Sequence, residues 1–248
     1  MQREHILAHS PTKAGTFALL ILAFIIAACG GSNSNTPTAQ QLIKNAQAAI
    51  QQVKSYHFNL VAKNLGTGGK LPIQSADGDV LVPDRLKASA KVLVFGSTLA
   101  VNIITIDDDQ YITDPISGKW EKTTGLLDPR TLSDSKTGVA AILGHIENPS
   151  TPVDSNVDGR PCWSIDGRLD AKYLAAITGG GAPAGSKVAV TICIGKSDNL
   201  LYQIIMTGVA AQGDTDKTVR TFKLSKFNES LTIEAPPITP TPALTPTP

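Results

Sequence analysis

The chain has 248 residues and a formal net charge of +1, and aromatic residues make up only 5% of it. No basic block occurs, which argues against nucleic acid or an anionic surface as the main partner. So few rings cannot form a stacking platform for bases or sugars, and the core must be aliphatic.

Residues 1–28 have the pattern of a secretory signal peptide. Arg3 and Lys13 precede an apolar run from Phe17 to Ala28, which is shorter than the about 20 residues needed to span a bilayer. Cys29 directly follows two alanines, the pattern of a lipoprotein signal. We expect cleavage before Cys29 and attachment of a diacylglyceryl group to its sulfur, with acyl chains of the palmitate type anchoring the protein. The alternative is an unlipidated secreted protein with a chance cysteine here.

The mature chain divides into three parts. Residues 29–37 form a polar, flexible tether behind the lipidated cysteine, and residues 38–235 form one domain large enough for a sizeable core. Residues 236–248 are mostly Thr and Pro, so we expect a disordered tail of extended, polyproline-like chain.

A helix is predicted over residues 38–54, because apolar residues recur there at intervals of three and four, with Thr38 and Gln41 as a capping box. From Tyr56 onward the apolar period is close to two, which is typical of strands. The predicted strands are 56–64, 73–82, 85–95, 98–106, 109–114, 119–123, 152–157, 160–167, 187–195, 200–209, 217–227 and 230–234.

Two helical segments interrupt the strands. One begins at Asp128-Pro129 and ends near Gly144, and the other covers residues 170–177 before three glycines. About ten or eleven strands with hairpin-length links predict an α+β fold with one large, mostly antiparallel sheet. A sheet this wide must curl or close, and the helices then cover its apolar face.

That apolar face is rich in small aliphatic residues, which suit either the wall of a cavity or a filled core. Periodicity does not distinguish these two outcomes. The candidate cavity-lining residues are Val92, Val94, Val101, Ile103, Val188, Val190 and Ile192.

No catalytic or metal-binding constellation is evident. The chain has no Gly-x-Ser-x-Gly elbow, and Ser133 with Lys136 lacks the partner motifs of the penicillin-binding class. The acidic run at 107–109 lacks the spacing of a calcium loop and lies where a turn is expected. We therefore expect no enzymatic activity, no metal and no cofactor.

Cys162 and Cys193 are both predicted on the polar side of the sheet. In an oxidising compartment this placement favours a cross-strand disulfide. Two separate thiols are the alternative.

These features together resemble the LppX/LprG-type family of envelope lipoproteins over residues 38–236. The motifs are Ser55-Tyr56-His57-Phe58, a Tyr111 to Trp120 hairpin, Asp128-Pro129, Val157-x-Gly159-x-x-Cys162-x-x-Ile165-x-Gly167, the strand at 188–195, and Phe227 leading to Ile233-x-x-Pro236. The resemblance implies a half-barrel, similar to that of the lipoprotein carrier LolA, whose helix-roofed concave face encloses a cavity for acylated lipids. The cysteine pair, the Gly-rich stretch 179–185 and the Thr/Pro tail depart from the family pattern.

The function expected from this resemblance is binding of a lipid or glycolipid, with its acyl chains in an apolar cavity, and a part in lipid transfer across the envelope. Cys29 would tether a monomer to the outer face of the cytoplasmic membrane. The alternative is a structural or interaction lipoprotein with a filled core and no lipid ligand.

Overall fold

The structure is a computed structural model that describes residues 36–66, 73–94 and 96–238. Residues 1–28, Cys29 and the tail beyond residue 238 lie outside the described residues, and the proposed division of the chain stays a prediction. No helix among the described residues is both long enough and apolar enough to cross a membrane.

Eleven strands form one sheet in which every neighbouring pair is antiparallel. The strands are β1 (Ser55–Lys63), β2 (Ile73–Leu81), β3 (Arg85–Val94), β4 (Ser97–Ile106), β5 (Asp109–Thr113), β6 (Trp120–Thr123), β7 (Val153–Val157), β8 (Arg160–Asp170), β9 (Lys187–Gly195), β10 (Leu201–Thr207) and β11 (Val219–Ser225). Their order across the sheet is β6-β5-β4-β3-β2-β1-β11-β10-β9-β8-β7. Because β6 and β7 are free edges, the sheet is open, and the predicted fold class is confirmed.

The sheet consists of two meanders that meet at its centre. Strands β1 to β6 run outward to one edge, and the chain then crosses to the other edge, from which β7 to β11 return. The two meanders are joined where β11 pairs with β1. In this pairing Phe58 lies opposite Leu224, and Ala62 lies opposite Arg220. Such a pairing joins segments more than 150 residues apart, so local sequence does not reveal it.

Helix α1 (Ala39–Ile50) covers one face of the sheet. Its N-cap is Thr38, whose side-chain oxygen accepts a hydrogen bond from the Gln41 N–H at 3.3 Å. Leu42 and Ile43 lie in the buried stripe, and the Gln47 side-chain amide donates to the Ala140 carbonyl at 3.1 Å. These contacts confirm the predicted helix, although it ends a few residues earlier than expected.

The helical segment predicted from Asp128-Pro129 to near Gly144 is present but is not continuous. The structure has two short helices, α2 (Pro129–Ser133) and α3 (Val139–Gly144). The Asp134 carboxylate ends α2 because it accepts the N–H groups of Lys136 and Thr137 at 2.8 and 2.9 Å. A short acidic side chain that binds nearby backbone donors competes with the helical pattern.

The second helical segment lies one residue later than predicted and is only partly α-helical. Strand β8 continues to Asp170, and a 3₁₀ turn (Ala171–Leu174) and helix α4 (Ala175–Thr178) follow. Gly179 ends α4 in the left-handed conformation at φ 84°.

The predicted last strand at 230–234 is wrong. This segment makes no ladder and lies across the sheet, with the Ile233 carbonyl accepting from Arg85 Nη1 at 3.1 Å and the Glu229 carbonyl from Ser55 Oγ at 2.6 Å. Strand β1, beside which the chain arrives, already has β2 and β11 as neighbours. No free backbone edge is left there, so the segment is held by side chains instead.

The helices and the main core lie on one side of the sheet, which we call the concave face. Phe58, Val190, Ile192 and Phe222 belong to this face and pack in a single buried cluster with α1 and α3. The opposite, convex face is crossed by the C-terminal segment, and Ile233 is buried there against Ile104 and Tyr111.

Candidate functional site

The seven candidate cavity-lining residues all lie on the concave face. Ile103 pairs across the sheet with Ala88, and Val190 pairs with Gly167, so each shares a face with residues of the main core. Alternation along β3, β4 and β9 then places the other members of each strand's set on the same side. The seven residues nevertheless have two different environments.

On the β9 side, the concave face is filled. Val188 and Ile192 are 0% exposed and Val190 is 3% exposed, and α1 lies against this strand. The side chains are therefore packed against helices and neighbouring strands in this structure.

On the side of β2 to β5, the concave face is partly uncovered. Val101 is buried at 7% exposure, but Val92, Val94 and Ile103 are only half-buried. The half-buried apolar residues here form what we call the open strip: Ile73, Val92, Val94, Leu99, Ile103 and Ile112. This surface is continuous with the core, yet it is still reachable from solvent.

Cys162 and Cys193 form a disulfide, with Cα atoms 5.6 Å apart. They lie on the convex face, where Cys193 pairs with Ser164. The bond is covered rather than exposed: Tyr202 packs on it, and the Arg160 guanidinium lies 3.9 Å from the centre of the Tyr202 ring. Alternation alone predicted a polar surface and missed this small second core.

Two depressions in the described part of the chain lie on the convex face. The first, of about 320 Å³, is bounded by β2 to β4 and the C-terminal segment, with Asp77, Lys87 and Asn102 among its polar lining residues. The second, of about 370 Å³, lies beside Arg168 and Lys187. Their polar linings do not suit acyl chains.

Two buried polar side chains of the concave face, Tyr56 and Arg220, lack a complete set of hydrogen-bond partners, and sequence reasoning missed both. Arg220 alternates with Phe222 and Leu224 along β11, so a period-two reading could have revealed it. Arg220 Nη1 and the Tyr56 hydroxyl have no hydrogen-bond partner among the described residues. Burial raises the pKa of Tyr56 well above its ordinary value, so the phenol stays neutral.

We expect Tyr56→Phe to stabilise the domain by about 1 kcal/mol, because a buried hydroxyl without a partner costs about 1–3 kcal/mol. The melting temperature should rise by about 2–4 °C in thermal unfolding. Tyr202→Phe is the matched control: its hydroxyl donates to Asp198 Oδ2 at 2.8 Å, so this variant should lose stability. A loss of stability in Tyr56→Phe would show that a water or ligand binds the hydroxyl.

No cluster of three or more His, Cys, Asp or Glu side chains that could hold a metal ion occurs in residues 36–66, 73–94 and 96–238. His57 lies on the convex face between two carboxylates, with Nδ1 2.8 Å from Asp79 and Nε2 3.3 Å from Asp77. His145 stacks on Tyr173 with ring centres 3.7 Å apart. Neither histidine is placed beside a serine or cysteine nucleophile by these contacts.

Known proteins share this architecture. LprF of Mycobacterium bovis, named as a candidate transporter of diacylated glycolipids, is 26% identical over 207 residues, which cover 74% of this chain and 77% of LprF. The crystal structure of LprF superposes with a TM-score of 0.66 at 22% identity, covering 80% of this chain and 96% of that one. LppX of Mycobacterium tuberculosis superposes with a TM-score of 0.57 at 21% identity, covering 79% and 98%. At these identities the superpositions establish the fold.

The LppX_LprAFG lipoprotein family matches residues 38–233, which include every strand and helix described above. The resemblance inferred from the motifs is therefore confirmed, and this chain belongs to the LppX_LprAFG lipoprotein family.

Proposed function

We propose that the protein binds an acylated lipid or glycolipid on its concave face and takes part in moving it across the cell envelope. The single observation behind the proposal is the open strip, an apolar surface left half-buried in a face that helices otherwise cover. Membership of the lipoprotein family and the glycolipid-transporter name of LprF support it.

The mechanism is partition of acyl chains out of water. Apolar surface gains about 25 cal/mol for each Å² that it loses to water, so a chain lying along Val92, Leu99 and Ile103 is favoured without any directed contact. The head group would stay towards solvent. Lipidation of Cys29 would hold the domain near its lipid source, on the outer face of the cytoplasmic membrane, as a monomer.

A second candidate function is favoured by one observation: the concave face is fully packed around β9. Val188, Val190 and Ile192 leave no exposed wall there, as expected of a structural or interaction lipoprotein with a packed core. The two functions differ in whether the open strip receives a ligand.

Extraction of the purified, non-lipidated protein with organic solvent, followed by mass spectrometry, tests the proposal directly. The proposed function requires a co-purifying acylated lipid, or stoichiometric uptake of dioleoylglycerol by lipid-free protein. If neither is found, the structural alternative replaces it.

Two tryptophan substitutions locate the binding surface. Ile103→Trp adds bulk to the open strip and should reduce lipid uptake severalfold while the melting temperature changes little. Val190→Trp adds the same bulk to packed core and should destabilise the domain by about 1–3 kcal/mol. Ala100→Trp, on the exposed convex side of β4, is the matched control and should change neither quantity. Unchanged lipid uptake by a folded Ile103→Trp protein would remove the open strip from the binding surface.

A further inference from the structure

Arg220 and Asp214 form a buried ion pair at one end of the concave face. Their side chains are 2% and 0% exposed. Arg220 Nε donates to Asp214 Oδ2 at 3.0 Å, and Nη2 donates to Oδ1 at 2.6 Å. Asp214 Oδ2 also accepts the backbone N–H groups of Ala210 and Ala211 at 3.1 and 2.9 Å. The carboxylate is thus fully used, and the pair as a whole is neutral.

One nitrogen of the Arg220 guanidinium, Nη1, makes no hydrogen bond within this pair. Arg220 Nη1 carries two N–H groups, is buried, and has no acceptor among the described residues. Burying a donor of a charged group without an acceptor is costly, so an acceptor from outside the described residues is expected there.

The register of β11 places this donor on the concave face. Arg220 lies between Ala62 of β1 and Met206 of β10, and Phe222 is the next residue of β11 on the same face. These neighbours are apolar and offer no hydrogen-bond acceptor from their side chains. The donor therefore adjoins the same face to which the proposed function assigns acyl chains.

The net charge of the ion pair indicates that the missing hydrogen-bond acceptor is a neutral group. Asp214 already neutralises the guanidinium, so a phosphate would bring an uncompensated negative charge into a buried place. An ester carbonyl is neutral, accepts hydrogen bonds only, and lies at the head of every acyl chain of a diacylglycerol lipid. We infer that Arg220 Nη1 donates a hydrogen bond to an ester carbonyl of the bound lipid, and so fixes where its acyl chains begin. This inference rests on the proposed function and adds the linkage chemistry of the ligand.

The proposed hydrogen bond to an ester carbonyl is tested by changing the ligand while the protein stays the same. Lipid-free protein carrying Cys29→Ser is titrated with dioleoylglycerol, with its ether analogue dioleylglycerol diether, which lacks both carbonyls, and with dioleoyl phosphatidate. We expect the ester to bind about tenfold or more tightly than the ether, because the hydrogen bond is to a charged donor. Phosphatidate should bind no more tightly than dioleoylglycerol.

Each other outcome has a definite meaning. Equal affinity for ester and ether, both measurable, overturns the carbonyl contact and leaves the proposed function standing. Markedly tighter binding of phosphatidate overturns the neutral acceptor in favour of an anionic head group. Absence of binding by all three overturns the proposed function together with this inference.

A protein variant identifies the donor. Arg220→Met combined with Asp214→Asn removes the guanidinium without leaving an unpaired buried carboxylate, and should bring the ester-to-ether preference to about one. Lys223→Met is the matched control, because Lys223 lies on the same strand but pairs with Asp158 at 2.8 Å on the convex face. It should retain the preference. A folded double variant with an undiminished preference would overturn the assignment to Arg220, and the ligand comparison decides the matter if that variant does not fold.

Discussion

Replacing Cys29 with serine should abolish incorporation of labelled palmitate and prevent stable attachment of the mature protein to membranes. A hydroxyl cannot form the thioether, and each acyl methylene lost from the membrane removes about 0.8 kcal/mol of anchoring. Two chains give stable attachment, whereas the mature chain without them has only the tether sequence to hold it. This is the largest effect that we expect from a single substitution in the chain.

The measurement is metabolic labelling followed by membrane fractionation and gel migration. Ser34→Ala, in the same tether, is the matched control and should remain labelled and membrane-bound. A Cys29→Ser protein that is still held in membranes by an uncleaved signal will migrate as a larger species without label. Label incorporation equal to that of the unmodified protein would mean that Cys29 is not the acylated residue.

Removal of the Cys162–Cys193 disulfide should destabilise the domain by about 3–4 kcal/mol. The bond joins residues 31 positions apart, and closing a loop of this size restricts the unfolded chain by about that amount in the chain-entropy treatment. For a domain of this size the melting temperature should fall by about 10 °C. The pair Cys162→Ala and Cys193→Ala, made together in a Cys29→Ser background, is the variant to measure.

Thiol titration provides a second readout. The unfolded, unreduced Cys29→Ser protein should show no free thiol. Ser164→Ala is the matched control, because Ser164 pairs with Cys193 on the same face without a covalent bond, and it should shift the melting temperature only slightly. Two reactive thiols would falsify the disulfide.

The local sequence predicted most strand and helix positions. Strand β3 was expected at 85–95 and lies at Arg85–Val94, and β9 was expected at 187–195 and lies at Lys187–Gly195. Apolar alternation and turn residues act over a few neighbouring positions, so they can be read without knowing what the strand packs against. The shared face of Val188, Val190 and Ile192 follows from the same period.

Competition from a nearby side chain explains why the first helical segment is interrupted. The helical segment predicted from Asp128-Pro129 to near Gly144 is present, but the Asp134 carboxylate binds backbone N–H groups and divides it into two helices. Helix propensity predicts the extent of a helix poorly where one short polar side chain offers the backbone a different set of hydrogen bonds.

The sequence by itself therefore determined the lipoprotein family, the positions of most strands and the faces of the sheet on which particular side chains lie. Only the tertiary structure decided that β11 pairs with β1, which leaves the segment at 230–234 no edge to join. It also decided that the β9 side is packed while the open strip is not, and that Arg220 meets Asp214 away from water. These outcomes depend on contacts between segments that are distant in the chain, and alternation within one strand carries no information about which element comes to lie on top of it.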